Sequence, residues 1–85
     1  MFEITRGSGF HITYANGWTA SVQWGPGTYS GNHGLSILAD ECPPSSTAEC
    51  LAWREDVDYP ADGEPLGYQG PGAVVAFLAE VALLP

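Results

Sequence analysis

The sequence predicts an α+β domain in which a small antiparallel sheet of three to five strands is packed by one C-terminal helix. Three observations predict this class. Two alternating apolar and polar stretches flank Asn16 and Gly17, a third alternating stretch lies between residues 47 and 54, and the last 15 residues place apolar side chains at helical spacing. With 85 residues, the chain has the length of one small domain, so residues 1–85 are assigned to a single domain.

The N-terminal part of the chain predicts a meander of three strands. Asn-Gly between alternating stretches is the strongest short cue for a hairpin. A three-residue loop, residues 15–17, sorts apolar from polar side chains, whereas a two-residue loop mixes them. The apolar face then pairs Tyr14 with Trp18, Ile12 with Ala20 and Phe10 with Val22, and the polar face holds His11, Thr13, Thr19, Ser21 and Gln23. This loop requires a type I turn followed by Gly17 in the left-handed conformation. Residues 2–5 repeat the pattern of residues 10–13 and supply the first strand.

The middle of the chain predicts loops around two short strands. Residues 25–27 end the third strand, residues 28–34 are a polar, glycine-rich loop, residues 35–39 an apolar strand, and residues 40–47 another loop. Residues 47–54 favour a strand with Cys50 and Ala52 on one face and Leu51 and Trp53 on the other, although a helical turn is also compatible. Residues 55–70 contain four residues that exclude long regular structure, namely Pro60, Gly63, Pro65 and Gly67.

The C-terminal stretch predicts the helix. Pro71 stands where a first helical residue belongs. Its apolar stripe consists of Val74, Phe77, Leu78, Val81 and Leu84. We expect this stripe to pack on the sheet face that holds Phe10, Ile12, Trp18 and Val22.

Charge is the most informative feature for function. Ten Asp and Glu residues stand against two Arg and no Lys, for a net charge of -8. This balance argues against direct nucleic-acid binding, because phosphate contact needs Lys and Arg. Residues 40–64 contain Arg54 and eight acids: Asp40, Glu41, Glu49, Glu55, Asp56, Asp58, Asp62 and Glu64.

A solubilising surface would usually mix charges of both signs, whereas a field of one sign attracts partners from a distance. Same-face side chains on a strand repeat at roughly 6 to 7 Å. This is comparable to the spacing of phosphates along a nucleic-acid strand. The acids therefore predict a surface that imitates nucleic acid to a basic, nucleic-acid-binding protein.

Other chemistry is weakly supported, and we predict no catalytic residue, metal site or cofactor. Asp56, Asp58, Asp62 and Glu64 do not have the spacing of a calcium loop. His11, His33, Cys42 and Cys50 lack the spacing of a zinc knuckle or of a thiol and its base. Of the aromatic residues, Trp24 and Tyr29 border the glycine-rich loop and are expected to remain partly exposed as contact anchors.

The location follows from what the sequence lacks. The first residues have neither the basic nor the long apolar region of a secretion signal. No apolar run approaches the roughly 20 residues that span a bilayer. We therefore expect a cytoplasmic protein without membrane contact, in which Cys42 and Cys50 are reduced.

Residues 16–27 read NGWTASVQWGPG. This stretch resembles small uncharacterised proteins of bacteriophages and prophages, which often have NGWT-x-SVQ-W-G-x-G near the N-terminus. Those proteins also have an Ala-Glu-x-x-Ala-Trp segment, matched by Ala48, Glu49, Ala52 and Trp53, and a helix like residues 74–84. The acidic, proline-rich stretch after Trp53 departs from their pattern.

The resemblance covers about half of the chain and implies an accessory protein of a mobile element, acting in the cytoplasm of an infected bacterium. Compact acidic proteins of this origin often inhibit host defence, and several anti-CRISPR proteins look like nucleic-acid mimics. The leading hypothesis is therefore a non-enzymatic inhibitor that occludes a basic DNA-binding surface of a CRISPR effector. The alternative is a small interaction module that binds a host protein through an apolar patch around Trp24 and Tyr29.

Overall fold

The computed structural model describes residues 1–4, 8–24 and 46–85, which form one antiparallel sheet with a helix packed on it. The strands are β1 (Phe2–Ile4), β2 (Gly9–Thr13), β3 (Thr19–Gln23), β4 (Ala48–Arg54), β5 (Val57–Tyr59) and β6 (Leu66–Gln69), and the helix is α1 (Pro71–Ala82). The order is β1-β2-β3-β4-β5, and β6 also pairs with β4. The α+β class is confirmed, with six strands in the described residues where three to five were predicted. The strand predicted at residues 35–39 lies outside them.

The β2–β3 hairpin has the predicted register. Its cross-strand pairs are Phe10 with Val22, His11 with Ser21, Ile12 with Ala20 and Thr13 with Thr19. The amide of Tyr14 donates to the carbonyl of Trp18 at 2.8 Å, and the amide of Gly17 donates to the carbonyl of Tyr14 at 3.0 Å. Gly17 has a φ of 89°, which confirms its left-handed conformation. The described part of β1 pairs with β2 and completes the meander.

The second half of the sheet is built on β4. This strand alternates as predicted, with Ala48, Cys50 and Ala52 buried and the residues between them half-buried. Residues 55–70 contain more regular structure than the sequence indicated, because they form two strands of three and four residues. β5 pairs with the last residues of β4 and β6 with the first, so both occupy the same edge of the sheet.

The core lies between α1 and the centre of the sheet. Its buried residues are Trp18, Ala20, Val22, Ala48, Cys50, Ala52, Phe77 and Val81. The helix begins at Pro71 as predicted and contacts β3, β4 and β6. The expected packing was therefore right for Trp18 and Val22, but Phe10 lies at the margin and Ile12 outside the core. The helix packs on β3, β4 and β6, and Phe2 and Ile4 of β1, at the edge of the sheet, are 59% and 66% exposed.

Candidate partner-binding surface

The turn between β4 and β5 places two carboxylates at one end of the sheet. Arg54 pairs with Val57 across the ladder, so the turn consists of Glu55 and Asp56, and both are exposed. Glu55 has a φ of 54°, a left-handed conformation that is uncommon for a residue with a long side chain. The turn projects both acids into solvent.

Three more acids lie along the same edge. Asp58 is exposed on β5, and Asp62 and Glu64 are exposed in the connection from β5 to β6. A Cβ atom added at Gly63 would lie 3.1 Å from Oδ2 of Asp58, so this connection folds back against β5. The amide of Glu64 also donates to Oδ1 of Asp62 at 2.9 Å. We call these five residues the acidic edge: Glu55, Asp56, Asp58, Asp62 and Glu64.

The other predicted acids do not belong to this edge. Glu49 pairs with Gln23 near the opposite end of β4. At about 3.3 Å per residue, it lies roughly 13 Å along the strand from Trp53, the residue opposite Asp58. Asp40 and Glu41 lie outside the described residues. The structure thus brings together five of the eight predicted acids.

Arg54 does not neutralise the acidic edge. Its side chain lies on the helix side, where Nη1 donates to the carbonyls of Pro85 at 2.6 Å and Asn16 at 3.4 Å. Its guanidinium carbon lies 5.2 Å from the ring centroid of Trp18. No ion pair joins Arg54 to any of the five acids, so the one described arginine bonds to the backbone on the helix side and not to their carboxylates.

The sheet face opposite the helix contains an aromatic contact that sequence reasoning did not assign to a site. β3 separates β2 from β4, so the backbones of β2 and β4 lie roughly 10 Å apart. The ring centroids of His11 and Trp53 are nevertheless 5.3 Å apart, with an interplanar angle of 88°. The two rings must lean toward each other over β3, where Ser21 is only 8% exposed. Asp58 is the cross-strand neighbour of Trp53 on its other side.

An apolar groove lies on the helix side of the sheet. It has a volume of about 470 Å³ and is lined mainly by apolar residues that include Phe10, Val22, Trp24, Val74 and Val75. Trp24 is half-buried and contacts Phe10 edge to face, with ring centroids 6.5 Å apart. Tyr29, its predicted companion, lies outside the described residues.

His11 and Cys50, the described histidine and cysteine, lie in different surroundings. Nδ1 of His11 lies 3.7 Å from a carboxylate oxygen of Glu3. Cys50 is fully buried, and burial, with a smaller contribution from the charge of Glu49, raises the pKa of its thiol to about 11. Within residues 1–4, 8–24 and 46–85, no three acids, histidines or cysteines come together in a way that could hold a metal ion. His33 and Cys42 lie outside those ranges.

Comparison of the chain with family models, with curated proteins and with solved structures found no match. The one helix in the described part of the chain has 12 residues, too few to cross a membrane.

Proposed function

We propose that this protein is a non-enzymatic inhibitor that binds a basic, nucleic-acid-binding surface of a bacterial defence complex through its acidic edge. The observation that supports it most is the gathering of five exposed carboxylates within ten residues, to which Arg54, the arginine within the described residues, forms no ion pair. The sequence resemblance to phage and prophage proteins makes a DNA-binding CRISPR effector the proposed target.

Inhibition in this proposal is steric and electrostatic. Carboxylates of one sign steer a basic partner into contact, and that attraction weakens as salt screens the charges. The five acids lie on two turns and one short strand, so they do not repeat at the regular strand spacing that the sequence argument used. The mimicry therefore consists of charge density at an edge and not of a phosphate-like register.

The test is competition with DNA. A purified CRISPR effector complex is incubated with labelled target DNA, and displacement of the DNA is followed at salt concentrations from about 50 to about 300 mM. The edge variant combines Glu55→Gln, Asp56→Asn and Asp58→Asn. The matched control combines Glu3→Gln, Glu49→Gln and Glu80→Gln, which removes the same charge elsewhere.

We expect the edge variant to need roughly tenfold or more protein for the same displacement, and the control variant to stay close to the parent. Equal loss in both variants would mean that net charge alone matters. Undiminished displacement by the edge variant would remove these acids from the mechanism.

A second candidate function is supported by the groove that contains Trp24. An apolar interface there would bind a partner with little dependence on salt. Replacement of Trp24 by Ser should then abolish binding, whereas the edge variant should bind like the parent protein.

A further inference from the structure

The sheet face opposite the helix is uncovered by any other described element, and its ionisable side chains are mostly acidic. Those on the described strands are Glu3, His11, Glu49 and Asp58. The chain has no lysine, and Arg54, the arginine within the described residues, lies on the helix side. Asp58 is the carboxylate of this face that belongs to the acidic edge, so the charge beside Trp53 is complementary to a cationic partner.

Trp53 gives this face an aromatic centre beside the acidic edge. Its indole leans toward His11 on one side, whereas the carboxylate of its neighbour Asp58 lies toward Gly63 on the other. Directly opposed residues have Cβ atoms about 4.5 to 5.5 Å apart. The Cβ atoms of Trp53 and Asp58 are thus close together, whereas the indole and the carboxylate point apart. A space flanked by an aromatic ring and a carboxylate lies between them.

We propose that this position binds an arginine side chain of the basic partner, with the guanidinium stacked on Trp53 and hydrogen-bonded to Asp58. The inference rests on the proposed function and specifies what the partner must present. A guanidinium is planar and weakly hydrated, stacks on aromatic faces and pairs with a carboxylate in a fixed geometry. A lysine ammonium is a strongly hydrated point charge that gains less from the indole. Trp53 therefore makes the surface select arginine over lysine at equal charge.

The test compares two probes, a peptide of eight arginines and a peptide of eight lysines, by calorimetric titration at low salt. We expect the arginine peptide to bind the parent protein roughly two- to fivefold more tightly, as an exposed cation–π contact would give. Trp53→Leu, which keeps an apolar side chain over Ser21, should reduce this ratio to near one. Phe2→Leu is the matched control, because it removes an exposed aromatic ring from the opposite side of the sheet and should preserve the ratio.

A second measurement uses only the parent protein and therefore does not require that any variant fold. In the parent protein, the indole N–H resonance of Trp53 should shift more with the arginine peptide than with the lysine peptide, and that of Trp18 should not shift. Equal affinity for both peptides with an unshifted Trp53 resonance would overturn the arginine site and leave the acidic edge standing. Failure of both peptides to bind at low salt would count against the proposed function as well.

Discussion

The side-chain nitrogen of Asn16 lies 2.9 Å from the carbonyl oxygen of Val81, which bonds the β2–β3 turn to the last turn of the helix. The same nitrogen also lies 3.0 Å from the carbonyl oxygen of Leu84, and the side-chain oxygen of Asn16 accepts from the amide of Trp18 at 3.0 Å. The last carbonyls of a helix have no donor within it. α1 lacks a glycine cap, since its C-cap is Leu83 in a right-handed conformation. The carbonyl of Val81 also accepts from the amide of Leu84 at 3.2 Å, and Asn16 adds a side-chain donor to the carbonyls of both Val81 and Leu84.

Replacement of Asn16 should therefore weaken the fold. We expect Asn16→Ala to lower the free energy of unfolding by about 1 to 3 kcal/mol, because it removes the side-chain hydrogen bonds to the half-buried carbonyls of Val81 and Leu84. Asn16→Asp keeps the acceptor for Trp18 but places a negative charge against the negative end of the helix. It should be at least as destabilising. Urea denaturation measures both, and an aspartate variant as stable as the parent would show that the amide donor is unimportant.

Alanine substitution at two glycines should change the stability of the fold in opposite directions. Gly17 has a φ of 89°, and a Cβ there would lie 3.2 Å from Cδ of Arg54. Gly17→Ala should cost about 1 kcal/mol or more. Gly72 lies in the first turn of the helix with nothing within 4 Å of an added Cβ. Gly72→Ala should therefore raise stability by up to about 1 kcal/mol. Thermal unfolding of both variants gives the signs, and a loss at Gly72 would contradict the helical assignment.

At a third position, Gly9, a larger residue is excluded by lack of space and not by the backbone angle. A Cβ at Gly9 would collide with the carbonyl oxygen of Val22 and with the side chain of Gln23. The first of these is backbone of the neighbouring strand and cannot rotate away. We expect Gly9→Ala to cost about 1 to 3 kcal/mol by overpacking and to exceed the cost at Gly17. Urea midpoints of the two variants test the order, and a Gly9 variant as stable as the parent would mean that β2 and β3 are less closely paired.

Local rules predicted the hairpin well because its register depends on neighbouring residues. The Asn16-Gly17 pair and the alternation around it were sufficient to fix every pair between β2 and β3. The second role of Asn16 was not predictable, because its bond to Val81 joins residues 65 positions apart. The same limit applies to Arg54, whose residue type suggested a charge among acids but whose contacts lie with Trp18 and Pro85.

The candidate surface was predicted in composition but not in arrangement. The acids of residues 55–64 were identified by their number alone, and the structure gathers them because β5 and its connection return along the edge of β4. Neither short strand was expected, since Pro60, Gly63 and Pro65 dominate the local pattern. The place of Trp53 beside Asp58 depends on that unexpected pairing, so no local signal could have found it.

The buried thiol of Cys50 makes the fold lose stability as the pH becomes alkaline. Burial raises its pKa from an ordinary value of 9.0 to about 11. The folded chain therefore holds a proton that the unfolded chain releases above pH 9, so the stabilisation is complete below about pH 9 and is lost as the pH rises to about 11. Tyr59, whose pKa is raised chiefly by its hydrogen bond to Glu80, adds to this loss at the upper end of the range.

Cys50→Ala separates the thiol from the other groups. The variant should be less stable than the parent at pH 7, because it opens a cavity in the core, but its free energy of unfolding should fall less steeply between pH 9 and pH 10. Cys42 and the tyrosines are present in both proteins, so their contributions cancel when the two slopes are compared. Urea denaturation at intervals of half a pH unit measures the slopes. Parallel curves would mean that Cys50 ionises equally easily in the folded and unfolded chains, and that it does not lie under the helix.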